Sequence, residues 1–406
     1  MRRARPVPGR RAFLGGLAAV SVGGALAAAP SVANAVTTLG AGQTPSAARN
    51  LARPKQGGPL AITLVNNTGA YQNSSISFAI VGTDISDDAG RHIRVTPEGE
   101  KVPVSTADNG PDGYADYAIE FPASGEAQIS LPSEISGRIY VAIDGDLAIS
   151  IVEGDRLALP AGWVSTDPNN AVLHDNMEFT YSEGRMYCNT TMVDMFSVPM
   201  KIELEGEESP STGELVPGGR DAIFSAVSDQ SGFGNLVTDL RVVAPGHGIG
   251  EGLFDANYFD GYVDEVWNTY EGTDMVVNAN NQTFTGRVQG GQFVFDGDVQ
   301  PFDKPSTTDV LFCDGALAAP NDGITGPVAA VLGSGFNRST LVAHADQPVT
   351  DPAQFYTNDV ANHYARVMHE NSVDGKAYGF AFDDVSGFAS YIEDNATAMR
   401  LTLTEF

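Results

Sequence analysis

Two short segments hold the acids and hydroxyls from which chemistry can be built. One is Asn176-Met-Glu178-Phe-Thr180-Tyr, the other Asn189-Thr-Thr191-Met-Val-Asp194-Met-Phe-Ser-Val-Pro199-Met. Each sets one carboxylate among apolar and hydroxyl neighbours. Two acids in one cleft, one kept protonated by burial, are what cleavage of a glycosidic bond requires. One protonates the leaving oxygen, and the other attacks the sugar or activates water. Residue type alone does not single out this pair, because the chain holds 51 acids and offers many such pairs.

Whether the two acids can meet depends on the backbone between them. Met177–Tyr181 and Arg185–Val193 read as strands flanking Ser182-Glu183-Gly184, a hairpin signal. With the turn at Glu183–Gly184, Glu178 pairs near Cys188 or Asn189, and Asp194 lies further along. On a flat sheet that leaves the acids about 17–20 Å apart. Inverting carboxylate pairs stand about 6.5–9.5 Å apart. The strand must therefore bend or bulge between Thr190 and Asp194.

Further strands are expected at Leu60–Val65, Ser75–Val81, Tyr117–Phe121, Ala127–Leu131, Gly137–Ile143 and Ala148–Val152. Their spacing of about ten residues fits an antiparallel sandwich or barrel, and Pro199 marks its end. Beyond Leu204 the pattern changes. Ala222–Ala226 and Leu236–Val243 form separate elements, and Tyr258–Tyr270 has the rhythm of an amphipathic helix. Pro327–Leu332 and Pro352–Glu370 are two more expected helices, the second entered through Thr350-Asp351-Pro352. The chain closes with expected strands at Ala377–Phe382, Phe388–Ile392 and Ala398–Thr404.

Other chemistry-bearing residues read more simply. Gly246-His-Gly248-Ile-Gly250 lacks the glycine spacing of a dinucleotide loop and reads as a tight strand-to-helix connection, with a place at the groove edge open to it. His363 and His369 read as packing or capping groups, and Tyr258, Tyr262, Trp267 and Tyr270 as helix core rather than sugar platforms. Cys188 and Cys313 are too few for a disulfide framework or a zinc site, and fit either two buried thiols or one disulfide.

The 406 residues exceed the roughly 250–300 at which one core stops growing, so two domains are expected. Formal net charge is −28, which argues against nucleic acid and anionic membrane as partners. Arg10-Arg11-Ala-Phe13-Leu14, an apolar run to about Ala29 and Ala33-Asn34-Ala35 form a secretory signal of twin-arginine type, with cleavage after Ala35. Its removal takes the charge to −33, because residues 1–35 carry five Arg and no acid. Residues 36–58 read as a flexible leader. The expected localisation is secreted.

The Glu-Phe-Thr and Val-Asp-x-Phe-x-Val-Pro-Met segments resemble the signature of thaumatin-like proteins, and Ala377-Tyr378-Gly-Phe-Ala-Phe-Asp383-Asp384 resembles the penultimate strand of that fold. Together with Ala244-Pro-Gly-His-Gly248, Asn257-Tyr-x-Asp-Gly-Tyr-Val-Asp264 and Asn362-His-Tyr-Ala-Arg366, the Asn189-Thr-Thr-x-Val-Asp194 motif resembles glycoside hydrolase family 64. That family comprises secreted endo-acting β-1,3-glucanases that release laminaripentaose, and the likeness runs from about residue 60 to the C-terminus. It implies Glu178 as general acid and Asp194 as general base of an inverting mechanism. It also implies sugar-binding roles for Thr180, Ser182, Tyr187, Asn189, Thr191 and Asp383. Ser182 stands where the family pattern has Asn, and Tyr187 where it has Trp, which offers less stacking area. Read without the family, Asp383 and Asp384 either add charge to the cleft or are surface acids before a turn.

The fold expected is mainly β: a thaumatin-like antiparallel barrel or sandwich over 59–205 and 371–406, with a mixed α/β domain inserted at 206–370. An open groove between them would take an extended β-1,3-glucan. No metal or cofactor is needed, since protonation and water activation suffice. A monomer is expected. The rival reading is a thaumatin-like protein that grips β-glucan without cutting it.

Overall fold

The computed structural model describes residues 57–123 and 125–406. The twin-arginine segment and nearly all of the leader lie outside the described residues. The protein is mainly β. A five-stranded sheet runs in the order Ser211–Thr212, Met200–Glu205, Ala398–Leu403, Leu60–Asn66, Ala127–Leu131. A larger sheet runs Tyr391–Asp394, Arg185–Asn189, Leu173–Ser182, Ile135–Ile143, Ile76–Asp84, His92–Val95, Lys101–Pro103, with Ile119–Glu120 added beside Ile76–Asp84.

The two sheets face each other across one core. Leu60, Ile62, Leu64 and Leu401 come from the smaller sheet, and Phe78, Ile139, Met177, Phe179 and Cys188 from the larger. Strand alternation does the sorting: every second residue points into this core, and its neighbours point away. Gly82 and Gly137 are paired across the ladder, where a Cβ on either would stand 2.2–2.3 Å from a backbone carbonyl oxygen. Only glycine permits that approach.

A second core gathers the helices Gly219–Asp229, Asp260–Gly272, Thr325–Asn337 and His363–Glu370 around a small sheet of Met275–Ala279, Gln282–Gln289, Gln292–Phe295 and Asp346–Gln347. Tyr262, Trp267 and Tyr270 are buried in it, as helix core. Both cysteines are buried free thiols, and burial pushes both thiol pKa values up.

Several expected elements differ. Leu60–Asn66 pairs parallel with Ala398–Leu403, not antiparallel, which is possible because a long excursion separates them. Pro199 does not end the β region; Met200–Glu205 follows and pairs with Ala398–Leu403. The single helix over 352–370 is a turn at Pro352–Gln354 and a separate helix His363–Glu370. Tyr356 between them has φ 57°, and the Asn362 side chain caps the new start by accepting from the Ala365 N–H. Ala377–Phe382 is not a strand. Its apolar run is buried in the helical core, with Phe382 against Cys313 and Gly333. A continuous apolar stretch has no period to distinguish a strand from a buried loop.

Candidate active site

The even-numbered residues of Leu173–Ser182 form the polar face of the larger sheet, since Met177, Phe179 and Tyr181 occupy the core side. Register then fixes the neighbours. Glu178 lies between Arg138 and Asn189, and Thr180 between Ser136 and Tyr187. The Glu178 Oε1 accepts from Arg138 Nη2 at 2.9 Å, and Oε2 faces Asn189 Nδ2 at 3.4 Å. The Ser136 and Thr180 hydroxyls share a hydrogen bond of 2.8 Å.

Asp194 arrives by a different route. The strand bearing Asn189 ends there, and the following segment is pinned by distant backbone. Thr190 N–H donates to the Ser390 carbonyl and Met192 N–H to the Tyr378 carbonyl, while Tyr364 Oη donates to the Met192 carbonyl at 2.6 Å. Met195–Phe196 then pairs with Val242–Val243, and the Asp194 carbonyl accepts from Ala244 N–H at 3.0 Å. The break expected between Thr190 and Asp194 is therefore present.

One guanidinium links the two acids. Arg138 Nη1 lies 3.8 Å from Asp194 Oδ2 while Nη2 holds Glu178, and Nη1 also donates to Tyr140 Oη at 3.2 Å. Both carboxylates on one planar fork are within about 9 Å of each other. That bound replaces the flat-sheet separation and includes the spacing of two-carboxylate catalysis. Burial works against Arg138 carrying charge, but Tyr140, Glu178 and Asp194 more than compensate and raise its pKa.

Asp194 has a second partner. His247, on the short helix Pro245–Gly250, places Nε2 2.8 Å from Asp194 Oδ1. Burial resists ionisation of Asp194, but the His247 hydrogen bond and the charges of His247 and Arg138 prevail and hold its pKa below the usual carboxylate range. The His247 ring lies against Trp163, with centroids 4.4 Å apart, and meets Phe312 edge-on at 5.1 Å. Arg241 steadies the loop that carries Trp163 by donating to the carbonyls of Gly162, Asn169, Asn170 and Val172.

Of the residues expected from sequence, Glu178, Asp194, Thr180 and Asn189 converge here. Tyr187 shares their sheet face, half-buried, with the Arg185 guanidinium 5.5 Å from its ring. Ser182 sits at the hairpin end and donates to Glu134. Thr191 is buried, and its hydroxyl accepts from Val193 N–H within the turn that leads to Asp194. Asp383 is a correction. It is fully buried in the second core, where it pairs with Arg338 at 3.1 Å and His369 at 3.0 Å and accepts from Gly379 N–H. No sugar reaches it there, and Asp384 is buried too rather than a surface acid. Burial disfavours a charged His369, but Asp383 outweighs it and raises the imidazole pKa, so this histidine is an ion-pair partner beyond simple packing.

Arg138, Tyr140 and Trp163 are the residues that sequence reading missed, and His247 reads there only as part of a tight connection with a place at the groove edge open to it. Arg138 had a signal: a cation amid the apolar strand Ile135–Ile143, in a chain with only 23 basic residues, demands buried anions. Replacing Arg138 with Met is expected to destabilise the fold by about 3–5 kcal/mol, because it strands the buried Glu178 carboxylate without its cation and leaves Asp194 to His247 alone. Urea denaturation followed by circular dichroism measures this, and a loss near zero would mean that solvent already neutralises the acids.

Two acids brought within about 9 Å on one polar sheet face are compatible with the spacing that two-carboxylate glycosidic cleavage uses. Residues 58–403 match the family described as Glyco_hydro_64: Beta-1,3-glucanase, and the chain belongs to glycoside hydrolase family 64. It is 36% identical over 295 residues to a glucan endo-1,3-beta-glucosidase of Cellulosimicrobium cellulans, covering 68% of this chain and 54% of that protein. A protein of the same name from Arthrobacter sp. (strain YCWD3) matches equally well. The chain thus spans about half the length of the curated relatives it matches. Among solved structures, a laminaripentaose-producing beta-1,3-glucanase in complex with laminaritetraose superposes with a TM-score of 0.79 at 35% identity, covering 86% of this chain and 99% of that one. A beta-1,3-glucanase domain from Clostridium beijerinckii gives 0.76 at 28% identity, over 86% and 98%.

Proposed function

We propose that this protein is a secreted endo-β-1,3-glucanase that cleaves laminarin and curdlan with inversion, releasing laminaripentaose. The observation that carries the reading is the single guanidinium of Arg138 spanning Glu178 and Asp194. Asp194, held ionised, is the general base that draws a proton from water on the far side of the sugar. Glu178 is the general acid that protonates the departing glycosidic oxygen. Tyr187 and Thr180, on the same sheet face, contact the sugar chain. The glucan lies in an open groove between the two cores, where Asp194 meets His247. Neither step needs a metal or cofactor.

Export by the twin-arginine route, with cleavage after Ala35, fits a polymeric substrate that a cell cannot import intact. The strand order, in which residues 391–403 rejoin the sheets of residues 60–205, supports a thaumatin-like barrel with the helical region inserted. A monomeric enzyme fits this arrangement.

Incubation with laminarin or curdlan, followed by oligosaccharide chromatography and proton NMR, tests the reading. Laminaripentaose should dominate, and the first product should be the α-anomer. A β-anomeric first product would make Asp194 or Glu178 a nucleophile in a retaining reaction, and absence of release would remove the hydrolase reading.

A further inference from the structure

The base of this reaction belongs to the sheet region, yet the group that grips it comes from the helical region. His247 meets Asp194 Oδ1 at 2.8 Å, while the other carboxylate oxygen faces Arg138 at 3.8 Å. The two carboxylate oxygens therefore differ: one is fully engaged, and the other has a cation nearby without a close hydrogen bond. Such a division suits a base, which needs one oxygen fixed and one left to accept a proton from water.

The imidazole itself is held rigidly. Trp163 covers one face, tilted 30° to it, and Phe312 meets it edge-on. The helix beneath has no slack: a Cβ at Gly246 would stand 3.0 Å from the Phe312 ring, and one at Gly248 2.3 Å from Leu236. The main chain closes the link a second time, through Ala244 N–H to the Asp194 carbonyl and the Met195–Phe196 pairing with Val242–Val243. Only a protonated Nε2 can donate to a carboxylate, so either the Nε2–H tautomer or the imidazolium serves.

We infer that His247 is a positioning residue for the hydrolytic step, donating from Nε2 to one oxygen of Asp194 so that the other is aimed at the attacking water. The inference rests on the glucanase reading above. The ionisable groups coupled to Asp194 are His247 from its helix, Arg138 and Tyr140 from one sheet strand, and Tyr364 from the helix His363–Glu370, while Glu178 on the next strand shares Arg138 with it. Without the His247 donor, burial of Asp194 is opposed by Arg138 alone, so its pKa must rise. A base works only when ionised, so the acid limb of the kcat/KM profile then moves to higher pH.

Two variants separate a donor from a packing group. His247→Phe keeps a flat ring between Trp163 and Phe312 but cannot donate; His247→Gln loses the ring but keeps an N–H donor at similar reach. The expected result on laminarin is a kcat about 10–100-fold lower in His247→Phe, with KM near wild type. Its acid limb should be displaced upward by about one pH unit or more. His247→Gln should stay close to wild type in both readouts. The reverse pattern, with His247→Phe normal and His247→Gln impaired, would overturn the inference and leave His247 as packing. Should His247→Phe not fold, as judged by circular dichroism, a folded His247→Gln with a tenfold or greater loss of kcat is sufficient to overturn it. A wild type that releases nothing from laminarin overturns the glucanase reading itself, which an active wild type with the reversed pattern does not.

Discussion

Replacing Glu178 with Gln is expected to lower release of reducing ends from laminarin by about 10²–10⁴-fold, with the fold and glucan binding close to wild type. The substitution is nearly isosteric. A Gln oxygen in the place of Oε1 still accepts from Arg138 Nη2, so the guanidinium keeps a partner and the Glu178 strand keeps its register with Ile135–Ile143. What disappears is the carboxylic proton. An amide cannot donate to a departing glycosidic oxygen, and the barrier rises by that contribution alone. Pull-down on curdlan compared with reducing-sugar assay separates binding from cleavage. Turnover at the wild-type rate would remove Glu178 from the role of acid, while loss of binding along with turnover would point to a disturbed sheet face.

What could be read from sequence follows the range of the forces involved. The alternation of Asn176, Glu178, Thr180 and Ser182 against Met177, Phe179 and Tyr181 is local, and it places the acid on the correct face. The turn is equally local. Glu183 and Gly184 both take positive φ, at 52° and 82°, which matches the Glu183–Gly184 hairpin and puts Glu178 opposite Asn189. For Asp194 the spacing showed that a bend was required, but not what makes it. The carbonyls of Ser390 and Tyr378 that turn its segment away from the sheet lie 200 and 186 positions after their partners Thr190 and Met192, and no nearby pattern encodes them. His247 sits in a glycine-rich stretch that reads as a turn, because close helix packing and turn-making use the same residue. Asp383 misled for a similar reason. An Asp pair ahead of a turn usually belongs to the surface; Asp383 is buried because Arg338, distant in sequence and wrapped by Phe355, Phe380 and Phe388, pairs with it together with His369 and the Gly379 N–H.

The second large effect concerns the ends of the chain. A fragment ending at Glu205 is expected to be insoluble or molten, because Ala398–Leu403 is the central strand of the five-stranded sheet. It pairs with Leu60–Asn66 on one side and Met200–Glu205 on the other, and its loss splits that sheet, exposes Leu60, Ile62 and Ile202, and leaves two unpaired edges. Restoring the C-terminal residues should restore the fold, provided the junction respects the cores. Ala377, Phe380, Phe382 and Val385 belong to the helical core, so a graft beginning at residue 371 carries bare apolar surface and should aggregate. A graft beginning at Ser390 avoids them. Gly213 and Ser390 both lie against Thr190, so a short Gly/Ser linker can join residues 57–213 to 390–406. That protein should show cooperative thermal unfolding of β-structure by circular dichroism and no hydrolysis of long glucan, since His247 and the helical region that carries it are absent. Cooperative folding of the fragment ending at Glu205 would mean that the first strands are self-sufficient and that the C-terminal strands merely dock on them.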